Sequence, residues 1–274
     1  MINILLGVLS RIISNSYLNV FQKVLTNKGN NPSVVNFYTY LGLTALSALI
    51  IPDLMITPSK ELVTNFVIMG ILGALGNYCI IKALSIGELS SLAPINSYRP
   101  IVALIISFFY LKEIPSIFAI MGILLIISGT YLLYKKGEYN NKAIFIRILA
   151  LIFSGTEAVF IKKIILLTNI PTSFALWALS GLIFSLLFVI ASKHPIKLPH
   201  TKYLGFLVLS VGIMQYSTNY VFSKINVSYA LALFQLSTIL SVFLGVNIFQ
   251  EDGLKRKIIA SLIMLAGAVV IIIT

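Results

Sequence analysis

Thirteen residues carry most of the chemistry this sequence offers, and each sits inside a long apolar stretch: Arg11, Asn15, Asn19, Asn77, Tyr78, Asn96, Arg99, Glu157, Trp177, Gln215, Tyr216, Asn219 and Gln235. Arg11, Asn15, Asn19 and Gln22 recur at i, i+4, i+8 and i+11, which puts them on one helix face with Ser14 beside them. Amides and a guanidinium against lipid are costly. That face is expected to look into protein or a water-filled cavity, the alternative being hydrogen bonds that tie helices together. Glu157 is the one carboxylate well inside an apolar stretch, so it must be paired, hydrated or protonated. It suits a substrate amine or a coupled proton, or else a structural ion pair with Arg11 or Arg99.

Arg99 stands in Asn96-Ser97-Tyr98-Arg99-Pro100, with Pro94 just before. Proline removes a backbone donor and disturbs the turn ahead of it. A locally broken membrane helix with polar side chains is where carriers place binding groups. The planar fork of Arg99 would hold a carboxylate or phosphate; contact with lipid headgroups is the other reading. Trp177 and Tyr38 are aromatics of the kind that more often pack or form an interface belt than line a ligand box. Gly70, Gly73 and Gly76 share one edge of a helix and would admit a neighbouring backbone. His194 and His200 lie together in a polar loop and Cys79 is the single cysteine. Neither a disulfide nor a metal site is expected from them. With no phosphate-binding loop, nucleophile elbow or paired catalytic acids, the reading is a binding protein, not an enzyme, with no cofactor.

The elements that must position these groups are membrane helices. The chain has 274 residues, of which 58% are hydrophobic and 10% charged, and its mean hydropathy is +1.00. Soluble domains carry about 25% charged residues, so lipid is the main solvent. About 20 helical residues cross the hydrocarbon, and ten stretches qualify: 2–25, 33–51, 62–82, 88–111, 115–134, 143–163, 172–191, 203–223, 227–249 and 256–273. The first has no basic leader or cleavage site and reads as a span, not a removable signal. The net charge of +12 sits mainly between the spans, where it orients helices and meets anionic lipid rather than nucleic acid.

One unit is used twice. Asn77-Tyr78 maps onto Gln215-Tyr216, Ser90 onto Ser228, Glu113 onto Glu251 and Gly129 onto Gly267 at an offset of 138. Gln235 and Ser237 fall on Ser97 and Arg99 at the same offset. Earlier in each half Lys23, Asn30, Pro32, Tyr38 and Gly42 match Lys162, Asn169, Pro171, Trp177 and Gly181 at an offset of 139. The expected domains are residues 1–136 and 143–274, joined by a polar linker at 137–142. Five spans is an odd number, so the second half must enter the bilayer from the opposite side. Such an all-α, ten-helix inverted repeat is the architecture of a carrier with a midplane site. Counting Lys and Arg in the alternate loops gives five on the side of the termini and twelve on the other, which by the positive-inside rule puts both termini outside.

The run from Ala83-Leu84 through Pro100-Ile101 to Leu111-Lys112-Glu113 resembles the EamA-type repeat of the drug/metabolite transporter superfamily. The second half keeps Glu251 but has Thr238 where the pattern has proline, and Lys112 and Gln250 replace the glycine that ordinarily precedes the acid. The resemblance covers essentially the whole chain. It implies helices 1 to 4 and 6 to 9 around a central cavity, helices 5 and 10 outside it, and both termini in the cytoplasm, opposite to the charge count. The function it implies is secondary transport of a small polar metabolite, such as an amino acid or similar zwitterion or anion, by alternating access. The alternative is a flippase or carrier for a lipid-linked or nucleotide-linked sugar. The thirteen residues are the expected substrate contacts, with Arg99 on an acidic group, Glu157 on an amine or a proton, and helix 1 amides completing the lining. Expected partners are the small solute, membrane lipids and a coupled proton, without nucleic acid. The expected location is the bacterial inner (cytoplasmic) membrane.

Overall fold

Lipid leaves the backbone one economical solution along each apolar stretch, which is to hydrogen-bond to itself as a helix. The structure, a computed structural model, describes residues 2–53, 55–86, 93–133, 140–192, 196–237, 239–240 and 254–273. Among the described residues it is all helical, with ten α-helices. These are α1 (Ile2–Asn27), α2 (Pro32–Ser47), α3 (Lys60–Ile86), α4 (Arg99–Tyr110), α5 (Ile117–Leu133), α6 (Asn141–Leu167), α7 (Ile170–Ser192), α8 (Thr201–Phe222), α9 (Val227–Phe234) and α10 (Leu254–Ile272). Tighter 3₁₀ turns occupy Ala48–Asp53 and Ala93–Tyr98. Segments of α3, α6 and α7 are long and apolar enough to cross a membrane, and α1, α4, α5 and α10 carry shorter apolar runs. Large side chains such as Phe109, Phe118, Leu262 and Val269 stand exposed, an arrangement that lipid accommodates and water does not. The protein is an integral membrane protein.

Helix ends follow local chemistry. Asn31 caps α2 by accepting from the Ser33 N–H, with Pro32 at the first helical position. Asn169 does the same for α7, accepting from the Thr172 N–H, and its amide also donates to the Asp53 carbonyl. Asn30, its repeat equivalent, instead donates to the Leu25 carbonyl and closes α1 beside Gly29, whose φ of 79° is left-handed. Matched residues therefore serve opposite ends of a loop.

Two of the expected spans are corrected. The stretch 88–111 is not one α-helix: residues 93–98 form a 3₁₀ turn and α4 starts at Arg99. Pro100 has no N–H to offer the carbonyl four residues back, so the α ladder cannot run through it. The stretch 227–249 also breaks, since α9 stops at Phe234. The N–H groups of Gln235, Leu236 and Ile239 then reach carbonyls only three residues back, the tighter spacing of a 3₁₀ turn. This break falls at the repeat equivalent of Ser97–Tyr98, although no proline is present there. The later part of that span, with Glu251, lies outside the described residues.

The chain packs as two compact units, each drawn from both halves of the sequence. The first comprises Met1–Ala74 and Phe160–Lys224; the second comprises Leu75–Val159 and Ile225–Thr274. In the first unit α1 packs on α8, and α2 packs on α7 and α8. Its core gathers Leu25, Val35, Leu43, Phe174, Ala178, Leu207, Val208 and Val211. α1 and α8 run antiparallel, since Gly7 faces Tyr220 and Val221 while Phe21 stacks on Phe206. An ion pair of 2.8 Å joins Glu61 at the start of α3 to Lys163 near the end of α6.

In the second unit α4 packs on α9, and α5 packs on α10. A Cβ on Gly267 would lie 2.6 Å from the Gly122 carbonyl oxygen, and one on Gly129 would lie 2.7 Å from the Ala260 carbonyl oxygen. As α5 advances from 122 to 129 its partner recedes from 267 to 260, so the two helices are antiparallel. Adding 138 to Gly122 gives Ala260, and subtracting 138 from Gly267 gives Gly129, so one contact becomes the other with its members exchanged. The contact has its own two-fold relation.

The loop after α4 is fastened to α9. Glu113 accepts at 3.0 Å from the Val227 N–H, the first of α9, and the Ser116 N–H donates to the Tyr229 hydroxyl at 2.8 Å. Glu113 thereby caps α9, where Asn226 makes no side-chain cap. A carboxylate suits a helix N-terminus. Lys112, just before it, has a φ of 58°, a conformation that costs a side chain roughly 1 kcal/mol or more.

Two outcomes follow for purified protein followed by thermal unfolding. Lys112→Gly is expected to raise stability by about 1 kcal/mol, because glycine enters the left-handed region freely. Gly267→Val is expected to lower it by about 2 kcal/mol by forcing α5 and α10 apart. A Gly267→Val protein with unchanged melting would contradict the close contact.

Candidate functional site

Arg99 is the first residue of α4 because the proline that follows it prevents an earlier start. From there its half-buried guanidinium reaches α6. Nε and one Nη donate to the Ser154 carbonyl at 3.2 and 2.9 Å. A carbonyl oxygen has two lone pairs, so Ser154 can accept Arg99 without leaving the α6 ladder. The approach is close because the next residue is glycine: a Cβ on Gly155 would lie 2.9 Å from Val102 and 3.4 Å from the Arg99 carbonyl oxygen. On α3, Gly76 packs against Phe153 and Ser154. α3, α4 and α6 therefore converge on one turn of α6.

Glu157 lies on that turn, half-buried and within electrostatic reach of Arg99. The arrangement unites two of the charges singled out in the sequence, a guanidinium partly engaged with backbone and a carboxylate three residues along α6. Ser97, two residues before Arg99, is fully buried, and so for the most part is Gln235. Asn77 is half-buried on α3 and Tyr78 is exposed. All of these belong to the second unit.

The first unit holds the other group. The Arg11 Nε donates at 3.0 Å to the Thr218 hydroxyl, which donates onward to the Met214 carbonyl. For this member of the helix 1 strip the interhelical hydrogen bond is realised. Ser14 turns back on its own helix, bonding the Ser10 and Arg11 carbonyls, and Asn15 is half-buried. One turn apart on α8, the buried Gln215 donates through Nε2 to Asn219 Oδ1 at 2.9 Å. Tyr216 is exposed and meets Phe174 edge to face. Trp177 packs on Tyr40, ring centroids 5.2 Å apart, at the margin of the apolar core. It sits where packing alone accounts for it. The side chains of Asn19 and Asn96 lie outside the described part of the structure.

Sequence reasoning did not find Thr218 or the Ser154 carbonyl. Thr218 had a signal, since it lies between Gln215 and Asn219 within one polar turn. A backbone carbonyl leaves none, beyond the glycine beside it.

The comparisons with known proteins agree with the double use of one unit. The profile of the EamA-like transporter family matches twice, over residues 1–135 and 141–273. No curated protein sequence matches the chain significantly. A crystal structure titled only as that of a protein superposes with a TM-score of 0.79, covering 97% of this chain and 96% of its own, at 17% identity. That identity speaks for the fold alone. Two family matches that together span nearly the whole chain settle its kinship: it belongs to the EamA-like transporter family, within the drug/metabolite transporter superfamily.

Proposed function

We propose that this transporter moves a small polar metabolite, an amino acid or a similar zwitterion or anion, across the bacterial cytoplasmic membrane by alternating access. The observation that carries the reading is the half-buried Arg99 guanidinium, held on the Ser154 carbonyl one turn from Glu157, on helices with long apolar runs. Charged groups within membrane helices are expensive and mark solute or proton pathways. Two of the Arg99 donors grip the Ser154 carbonyl, and the guanidinium has five in all. Those not so used are the ones to meet a substrate acid group. Glu157 takes a substrate amine or exchanges a proton with it.

The break before Arg99 and its counterpart at Gln235–Leu236 support the same reading, since interrupted helices are where carriers of this build bind solutes. The antiparallel run of α5 and α10 supports an inverted relation between the two halves. The C-terminal end of α4 meeting the start of α9 supports it as well.

Reconstitution into proteoliposomes tests the assignment. Glu157→Gln is expected to cut solute uptake at least about tenfold with little change in melting temperature, because only the charge is lost, and tenfold corresponds to about 1.4 kcal/mol. Arg99→Ala is expected to abolish uptake and also to destabilise by about 2 kcal/mol, since a charge-assisted hydrogen bond between helices disappears with it. Wild-type uptake by both variants would remove the two residues from the site.

A further inference from the structure

We propose that Gln215 and Asn219 on α8 form a subsite for a group that presents a hydrogen-bond acceptor beside a donor, the edge of a primary carboxamide or of a nucleobase. The proposal takes its purpose from the transport reading above and its chemistry from the first unit alone. Both side chains are withdrawn from solvent, Asn219 fully and Gln215 to 5% exposure. They share the α8 face that carries Val208, Val211 and Phe222, and the Arg11 guanidinium meets Thr218 on the same turn. Each amide spends one group on the other, Gln215 Nε2 donating to Asn219 Oδ1.

That leaves Asn219 Nδ2 as a buried donor without a hydrogen-bond partner among the described residues. The side-chain hydrogen bond that Gln215 makes among the described residues is the one its Nε2 donates, which leaves its Oε1 as the acceptor beside that donor. A buried donor left unmade is costly, and an apolar residue would fit the packing without that cost. The free pair is one donor and one acceptor. An ionised carboxylate would satisfy the donor but face the Gln215 oxygen, which accepts and cannot donate. An ammonium would satisfy the oxygen and oppose the Asn219 amide. A neutral amide edge answers both. If the two amides are oriented the other way round, the free groups are again one donor and one acceptor.

Binding and flux are measured side by side on the full chain. In detergent, thermal unfolding is followed with L-glutamine and L-asparagine as carboxamide probes, uracil and uridine as nucleobase probes, and L-glutamate and L-norleucine as controls. One probe set is expected to raise Tm by roughly 3 °C at about ten times its Kd, and which set does so identifies the source of the edge. The controls should leave Tm unmoved. The shift should vanish in Asn219→Leu and, should that protein not fold, in Asn219→Ser. No shift from either probe set, an equal shift from L-norleucine, or a shift that survives these substitutions overturns the subsite. In proteoliposomes, uptake only of solutes lacking such an edge overturns the subsite and leaves the transport reading standing. A probe bound through Asn219 but never moved supports the subsite and counts against that reading.

Discussion

A backbone carbonyl or N–H inside hydrocarbon has no water to turn to, and the organisation of this chain answers that constraint. Unbroken helices meet it by themselves. The two interrupted ones need help, and the structure shows where some of it comes from. The turn before α4 is bridged by 3₁₀ bonds and anchored by Arg99 on the Ser154 carbonyl. The break after α9 is spanned by i to i−3 bonds, and the start of that helix receives the Glu113 carboxylate. Charges in this protein are therefore partly spent on backbone. Arg99 is both a brace and a candidate ligand, and a substitution there has to be interpreted on both counts.

The same constraint explains why small residues matter more than large ones where helices meet. Without water to drive apolar surfaces together, helices gain by close backbone approach. Gly155 lets α4 onto α6, Gly76 lets α3 onto the same turn, and Gly122 and Gly267 press against each other's carbonyl oxygens. The exposed faces of α5 and α10 are aliphatic and aromatic, with Leu124, Leu262, Leu265 and Val269 outward. At the seam the glycines meet Met264, Ile126 and Ile271 of the facing helix, while other large side chains face lipid.

Much of this was legible in the sequence because it is local. An apolar run sets a helix within a few residues, Asn31-Pro32 starts one, and Pro100 stops the α ladder before it. The break in α9 was not legible, since Gln235-Leu236-Ser237 contains no breaker and nothing short-range requires the turn. The cap that Glu113 gives α9 was not legible either, because its partner, the Val227 N–H, lies 114 residues away and a backbone group has no letter of its own. Arg11 read as one of a polar strip, whereas its Nε bond to Thr218 is decided by how α1 seats on α8. The assembly of each compact unit from both halves of the chain likewise depends on partner choice between distant helices. Composition is silent on that.

The seam between α5 and α10 carries an implication about origins. Its two contacts, Gly122 with Gly267 and Gly129 with Ala260, exchange places under the repeat offset, as contacts do across the axis of a symmetric homodimer. A single ancestral helix with small residues seven positions apart would have recognised its own copy before any fusion joined them.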